Sequence, residues 1–314
     1  MYSEQLRSGL KIINKIPPPP FKRGSCFALC FLFLILSLKI SAQQDTINSN
    51  RLKVVIGSEA VIYTASMTGL YSLWYKDIPS SSFHLFDDNN EWLQVDKVGH
   101  AMTSYYSGMG GYHSLKWTGV SDKKSILYGG TLGWAYLTSV EVFDGFSRDW
   151  GFSWGDITAN TLGTGMFVAQ QLAWKEQRVL MKFSYHQSDY WELNPSLLGE
   201  TLLQNSLKDY SGQTYWLSAN VASFLGKETK FPKWLNFAVG YGADGMVGAV
   251  RNPSHPEIKR YRQYYMALDI DLTRIKTKSK FANTVLGAFG FIKFPLPTVE
   301  FNNGGNTNFY WLYF

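Results

Sequence analysis

Three polar clusters interrupt long uncharged stretches of this sequence: Asp96-Lys97-Val98-Gly99-His100, Glu141-Val142-Phe143-Asp144, and Ser153-Trp154-Gly155-Asp156 with Asn160 beyond it. On helices, Asp96 and His100 are four apart, Glu141 and Asp144 three apart, and Asp156 and Asn160 four apart, so each pair shares a face. His100 with Glu141, Asp144 and Asp156 offers one imidazole and three carboxylates, the groups used for a divalent metal or for general acid–base chemistry. His100, Glu141 and Asp156 are the catalytic candidates. Lys97 and Arg148 are counter-charges close by in sequence. Buried charges must pair, so a structural or lipid-head-group network competes with both chemistries. No His-Glu-x-x-His zinc signature and no Gly-x-Ser-x-Gly elbow occurs,. Tyr241-Gly242-Ala243-Asp244-Gly245 is neither a phosphate loop nor a dinucleotide motif, and no cofactor is expected. The pocket should gather Asp96, Lys97, His100, Glu141, Asp144, Arg148, Ser153, Asp156 and Asn160. A shared metal needs His100, Glu141 and Asp156 within roughly 8 Å of one another, because ligand bonds reach only about 2.6 Å.

Four helices must position these groups, over residues 52–75, 100–117, 126–143 and 156–174, the last without a charge from Ile157 onward. Ser153-x-x-Asp156 reads as a capping-box-like start with Asp in place of Glu. The helices carry Gly108, Gly110, Gly111, Gly129, Gly130, Gly133, Gly163 and Gly165. A helical glycine costs about 1 kcal/mol against alanine, so this usage predicts close helix-to-helix approach. After Arg178 the period changes to two. Met181, Phe183 and Tyr185 alternate with Lys182, Ser184 and His186; segments 235–242 and 266–273 alternate likewise, and 214–225 and 309–314 less cleanly,. Segment 281–291 reads as a helix ended by Pro295 and Pro297. The expected fold class is α+β: a glycine-rich helical bundle over 50–175 packed with an antiparallel β-rich region over 179–314. The terminal Tyr310-Trp311-Leu312-Tyr313-Phe314 resembles the closing strand of an outer-membrane barrel. Five or six strands are too few for an ordinary closed barrel, so partial insertion, oligomeric closure and a sheet packed on the helices all stay open.

Residues 1–42 read as a secretory leader: Lys11, Lys15, Lys22 and Arg23 precede an apolar run from Cys26 to Leu38, with Ser41-Ala42 at the cut,. The leader holds +5 of the net charge of +6, leaving about +1 for the mature chain, so the basic pI gives no reason to expect a nucleic-acid partner,. Both cysteines, Cys26 and Cys30, lie in the leader, which removes disulfides and thiol chemistry from the mature chain,. Neither follows the apolar run, where a lipid-attachment cysteine would stand. Aromatic residues at 16% and charged residues at 17% suit an exported chain in contact with membrane lipid; a soluble periplasmic protein with an aromatic core is the alternative.

The order Asp96-Lys97-x-x-His100, a glycine-rich helix ending Glu141-x-x-Asp144, then Gly151-x-Ser153-Trp154-x-Asp156 and Gly163, resembles the YfiM-like predicted periplasmic lipoproteins. A looser similarity reaches the VanZ-like membrane proteins, through Asp-Lys-x-x-His, a mid-helix Glu and Asp156-x-x-x-Asn160-x-x-Gly163. The resemblance covers residues 92–172 and departs in its missing lipoprotein cysteine and its long C-terminal extension. It implies a location in the periplasm or outer membrane of a Gram-negative-type envelope. The expected role is structural or lipid-interacting; the alternative is an envelope enzyme acting on a lipid or phosphate substrate.

Overall fold

The computed structural model describes residues 47–226 and 228–314. The leader expected over 1–42 lies outside the described residues. Four main helices come first. Helix α1 (Ser49–Leu70) runs on into a wider turn at Tyr71–Tyr75, α2 spans Val95–Trp117, α3 Leu132–Asp144 and α4 Trp154–Trp174. The segment expected as one helix over 126–143 is divided. A wide turn, Ser125–Gly129, ends at Gly130, and α3 starts afresh beyond it. The reason is contact: an added Cβ at Gly129 would lie 2.4 Å from Gly111 backbone, and one at Gly130 would lie 2.3 Å from the Ile126 carbonyl. Close approach was the correct expectation for most of these glycines. Gly110 and Gly165 face open space instead.

Six strands follow: β1 (Val179–Tyr185), β2 (Gln213–Asn220), β3 (Leu235–Asp244), β4 (Tyr261–Ile270), β5 (Leu296–Asn302) and β6 (Thr307–Tyr313). They form one antiparallel sheet in sequence order. The α+β class holds, and the sheet is not closed into a barrel. Between β4 and β5 lies α5 (Lys280–Ala288), shorter than the 281–291 expected. The strand expected over 214–225 stops at Asn220, whose side chain caps a helical turn by accepting from the Ser223 N–H. Strand β5 was hidden by Pro297 within it and Pro295 just before it. Its pairing with β6 shifts register between Leu296 and Thr298, which places Pro297 where the ladder skips a residue and needs no donor,.

The sheet curls strongly. Tyr313 of β6 pairs its hydroxyl with Thr214 of β2 at 2.9 Å and with Tyr265 of β4 at 2.9 Å. Four flat inter-strand steps of about 4.8 Å would hold β2 and β6 far apart. The free edge of β1 is engaged by residues 291–293: Phe183 N–H donates to the Phe291 carbonyl at 2.8 Å and Lys293 N–H to the Phe183 carbonyl at 2.9 Å.

The two faces of this sheet are sorted against the usual rule. Its inner face buries Trp216, Tyr265 and Tyr313 among Lys182, Ser218, Asn236, Asp269 and Glu300. Lys182, with no solvent exposure, places its ammonium 2.6 Å from Asp269, and Asp269 also accepts from Ser218 at 2.6 Å. The outer face carries Leu217, Phe237, Val239, Met266 and Leu268, all exposed. Toward one end that face meets α2, where Met181 and Tyr215 share a core with Val95, Met102 and Tyr105. Bundle and sheet therefore share one core. Among the described residues, no helix is long and apolar enough to cross a membrane.

Candidate functional site

The site lies where the first turns of α2 and α4 meet the last turn of α3. Chain entry into α2 is unusual: Trp92, Leu93 and Gln94 have φ of +46°, +49° and +65°, a left-handed run that non-glycine residues rarely adopt. It is held from outside, by Trp92 N–H on the Ala249 carbonyl (2.8 Å), Tyr241 on the Leu93 carbonyl, and Arg262 on the Gln94 side chain (2.6 Å). That turn aims Lys97 back toward the preceding loop and Asp156. Helix α4 starts as the Ser-x-x-Asp pattern predicts, with Ser153 Oγ accepting from the Asp156 N–H at 3.1 Å. The reciprocal half of the box is supplied from elsewhere. The Ser153 N–H donates to Glu141 Oε2 at 3.2 Å, which leaves the Asp156 carboxylate free to point into the site.

Lys97 is the hub. Its ammonium lies 2.6 Å from Asp88, 3.1 Å from Asp96 and 2.9 Å from Asp156. His100, with about a quarter of its side chain exposed, presents Nε2 3.7 Å from Asp156 Oδ1 and Nδ1 3.9 Å from Glu141 Oε1. The same Nδ1 is 3.3 Å from Asn160 Oδ1. One donor atom each from His100, Glu141 and Asp156 lies within 4.8 Å of the other two, and the same is true of Asp88, Asp96 and Asp156. The structure brings Asp96, Lys97, His100, Glu141, Ser153, Asp156 and Asn160 together. Asp144 stands just behind them and accepts from the Tyr75 hydroxyl at 2.6 Å.

Arg148 is the exception. It is exposed and pairs with its neighbour Asp149 at 2.6 Å, so it is not the counter-charge of the acids. The loop from α3 to α4 turns it outward, and an adjacent carboxylate is a cheaper partner than a buried one. Two residues of the site lay outside the sequence pattern. Asp88 was part of a polar loop and Tyr75 part of an apolar helix, and neither had a helical spacing to mark it. Asp88 also accepts from Ser153 Oγ at 2.6 Å, so the loop is bound to the start of α4.

Five carboxyl groups thus face one ammonium and one imidazole, and their acidities spread accordingly. Burial, reinforced by Asp156 and Asp144, pushes Glu141 up to about 9. Burial raises Asp144 to about 7, against the hydrogen bond from Tyr75. Burial raises Asp156 to about 6, although His100 and Lys97 pull the other way. Asp88 is also subject to burial, but its hydrogen bonds with Asp156, Lys97 and Ser153 prevail and lower it. Lys97 is held above its ordinary value because Asp96 and Asp156 outweigh burial.

A pH dependence follows. Glu141 binds its proton more tightly folded than unfolded, so its contribution is full below about 4.5 and is lost as pH rises toward about 9,; Asp156 and Asp144 act with the same sign over shorter ranges. The protein is expected to lose several kcal/mol of stability between pH 5 and about 9, at about 1.4 kcal/mol per pKa unit, and so to melt at progressively lower temperature. Glu141→Gln should flatten most of that slope in thermal unfolding scans. An unchanged slope in that variant would remove Glu141 as its source.

Residues 84–171 match a protein family described as predicted periplasmic lipoprotein (DUF2279). The chain is thus similar to an uncharacterised periplasmic lipoprotein family across the stretch that holds the whole charged cluster from Asp88 to Asn160, close to the 92–172 expected. That description is consistent with an exported envelope protein, periplasmic or associated with the outer membrane. The sheet lies outside the matched region. No curated protein and no solved structure matches the chain.

Proposed function

We propose that this chain is a membrane-associated protein of the cell envelope, with the sheet's outer face against lipid and the charged cluster as the internal anchor of the helical bundle. The observation that carries this reading is the inverted sheet. Amphipathic strands with polar residues inward and apolar residues outward are the pattern of strands that meet hydrocarbon. On the outer face Met266 is 51% and Trp311 77% exposed, and an exposed apolar surface of this extent is unfavourable in water by about 25 cal/mol per Å². A groove of ≈ 420 Å³ between that face and α2, lined by Val98, Tyr215, Val239, Tyr241, Met266 and Phe301, has the lining an acyl chain requires. The cluster itself is a poor receptor for an anionic head group, since Lys97 is already shared by three carboxylates. The same charge balance disfavours an envelope enzyme holding a phosphate there.

Flotation with vesicles of phosphatidylethanolamine and phosphatidylglycerol tests the reading. The mature protein should float with the vesicles, and Val239→Lys with Met266→Lys should remain at the bottom, because a lysine on a lipid face costs up to about 2–4 kcal/mol. A detergent-free monomer that ignores vesicles would overturn it. In cells, the protein should sediment with the outer-membrane fraction on a density gradient.

A further inference from the structure

We propose that His100, Glu141 and Asp156 form a binding site for a first-row divalent cation, zinc or manganese, with Asn160 as its positioning neighbour. This goes beyond the membrane reading and stands whether or not that reading does.

Two candidate groups share Asp156, and they differ in what already neutralises them. Asp88, Asp96 and Asp156 surround the Lys97 ammonium at 2.6–3.1 Å, so that group has its cation built in. His100 Nε2 lies 3.7 Å from Asp156 Oδ1, one ligand atom each of His100, Glu141 and Asp156 lies within 4.8 Å of the other two, and no lysine or arginine is paired to Glu141 or His100 among the described residues. Ligand atoms about 2.1 Å from a tetrahedral ion sit roughly 3.4 Å apart, so side-chain movements of roughly 1–1.5 Å from the 4.8 Å limit would close the set.

A second, independent observation lies in the neighbouring polar atoms. Asn160 has no solvent exposure, its Oδ1 lies 3.3 Å from His100 Nδ1, and its Nδ2 has no hydrogen-bond partner. Buried amides normally use their donors, and a donor next to an ion serves an oxygen bound to that ion. With His100 Nδ1–H donating to Asn160 Oδ1, the ring is fixed in orientation and Nε2 keeps its lone pair, as is usual for a ligating histidine. One imidazole with two carboxylates is a mixed nitrogen–oxygen set, which favours zinc or manganese over calcium. Three protein ligands leave a position open for water or another oxygen ligand.

The test uses the full chain purified in detergent, stripped with a chelator and then dialysed against zinc or manganese. One equivalent should stay bound after desalting and should raise the melting temperature. His100→Gln and Glu141→Gln should each weaken binding at least about tenfold, the scale seen even for outer partners of a ligand. Glu257→Gln, which alters an exposed carboxylate paired with His255 outside the cluster, should leave stoichiometry and affinity unchanged. Because His100 is partly exposed, His100→Gln is the variant expected to keep the metal-free melting temperature, and it carries the test if Glu141→Gln does not fold. No retained ion, or equal affinity in parent and His100→Gln, overturns the proposal. Calcium binding that Asp88→Asn removes and His100→Gln does not also overturns it. Vesicle flotation is scored separately, so failure of one proposal leaves the other measurable.

Discussion

Lys97→Met should destabilise the protein by about 3–5 kcal/mol, the usual cost of removing one partner from a buried ion pair. The residue is buried and its ammonium is shared by Asp88, Asp96 and Asp156. Methionine fills the same volume but leaves three carboxylates within 4.8 Å of one another. They would then have to take up protons or admit solvent. Chemical unfolding in detergent gives the magnitude, and two further measurements give the cause. Asp88→Asn added to Lys97→Met should recover part of the loss, since it removes one repelling charge. Millimolar calcium should also stabilise Lys97→Met more than the parent, because the freed triad is an all-oxygen set. A Lys97→Met protein as stable as the parent would mean that protonation, not the ammonium, already neutralises these acids.

Gly163→Ala should be nearly as damaging, from a single methyl group. A Cβ at Gly163 would lie 1.9 Å from the Ala101 carbonyl oxygen, and both sides of that contact are backbone. No rotamer can relieve it, so α4 must move away from α2. Overpacking of this kind typically costs about 1–3 kcal/mol and sometimes more. The upper end is expected here because Gly133 and Gly108 make similar backbone contacts in the same bundle, at 2.3 Å from Ser104 and from Gly130. Gly165→Ala is the control. That position meets nothing within 4 Å, so alanine should gain up to about 1 kcal/mol from helix propensity alone. Gly163 also lies one turn beyond Asn160, and Ala101 follows His100, so the same change should loosen the His100–Asn160 contact. A parent-like melting temperature for Gly163→Ala would contradict the close approach of α2 and α4.

How much of this was legible depended on whether a residue's role was local. The spacing of Asp96 and His100, and of Asp156 and Asn160, is fixed by the helix, and both pairs do face the site. The division into helical and alternating halves was equally local. What escaped were partners brought by a loop or by another element. Asp88 is held by Ser153 and Lys97 from two other elements, and the left-handed turn at Trp92–Gln94 between the loop and α2 is advertised by no residue type there. Arg148 had the right charge at a plausible distance in sequence, but it sits in a turn that faces water beside Asp149. Strand β5 was masked because proline ordinarily interrupts a ladder, whereas here the ladder skips Pro297. Alternation identified strands but not which face would be inside. The burial of Lys182 against Asp269 settles that only once Lys293 and Ser218 are in place around them.

The engagement of β1 by residues 291–293 has a consequence for biogenesis. Phe183 and Ile292 are 109 positions apart in the chain, yet they form the bridge that covers the first strand's edge. Lys293, from that same segment, donates to the Leu268 carbonyl and supplies part of the inner polar cluster. During export the amino-terminal end emerges first, so the bundle and early strands arrive before the residues that complete them. Contacts this distant in sequence form slowly, and an uncovered strand edge recruits other strands in the meantime. The newly exported chain therefore has an interval in which the speed of that edge's closure decides between maturation and aggregation.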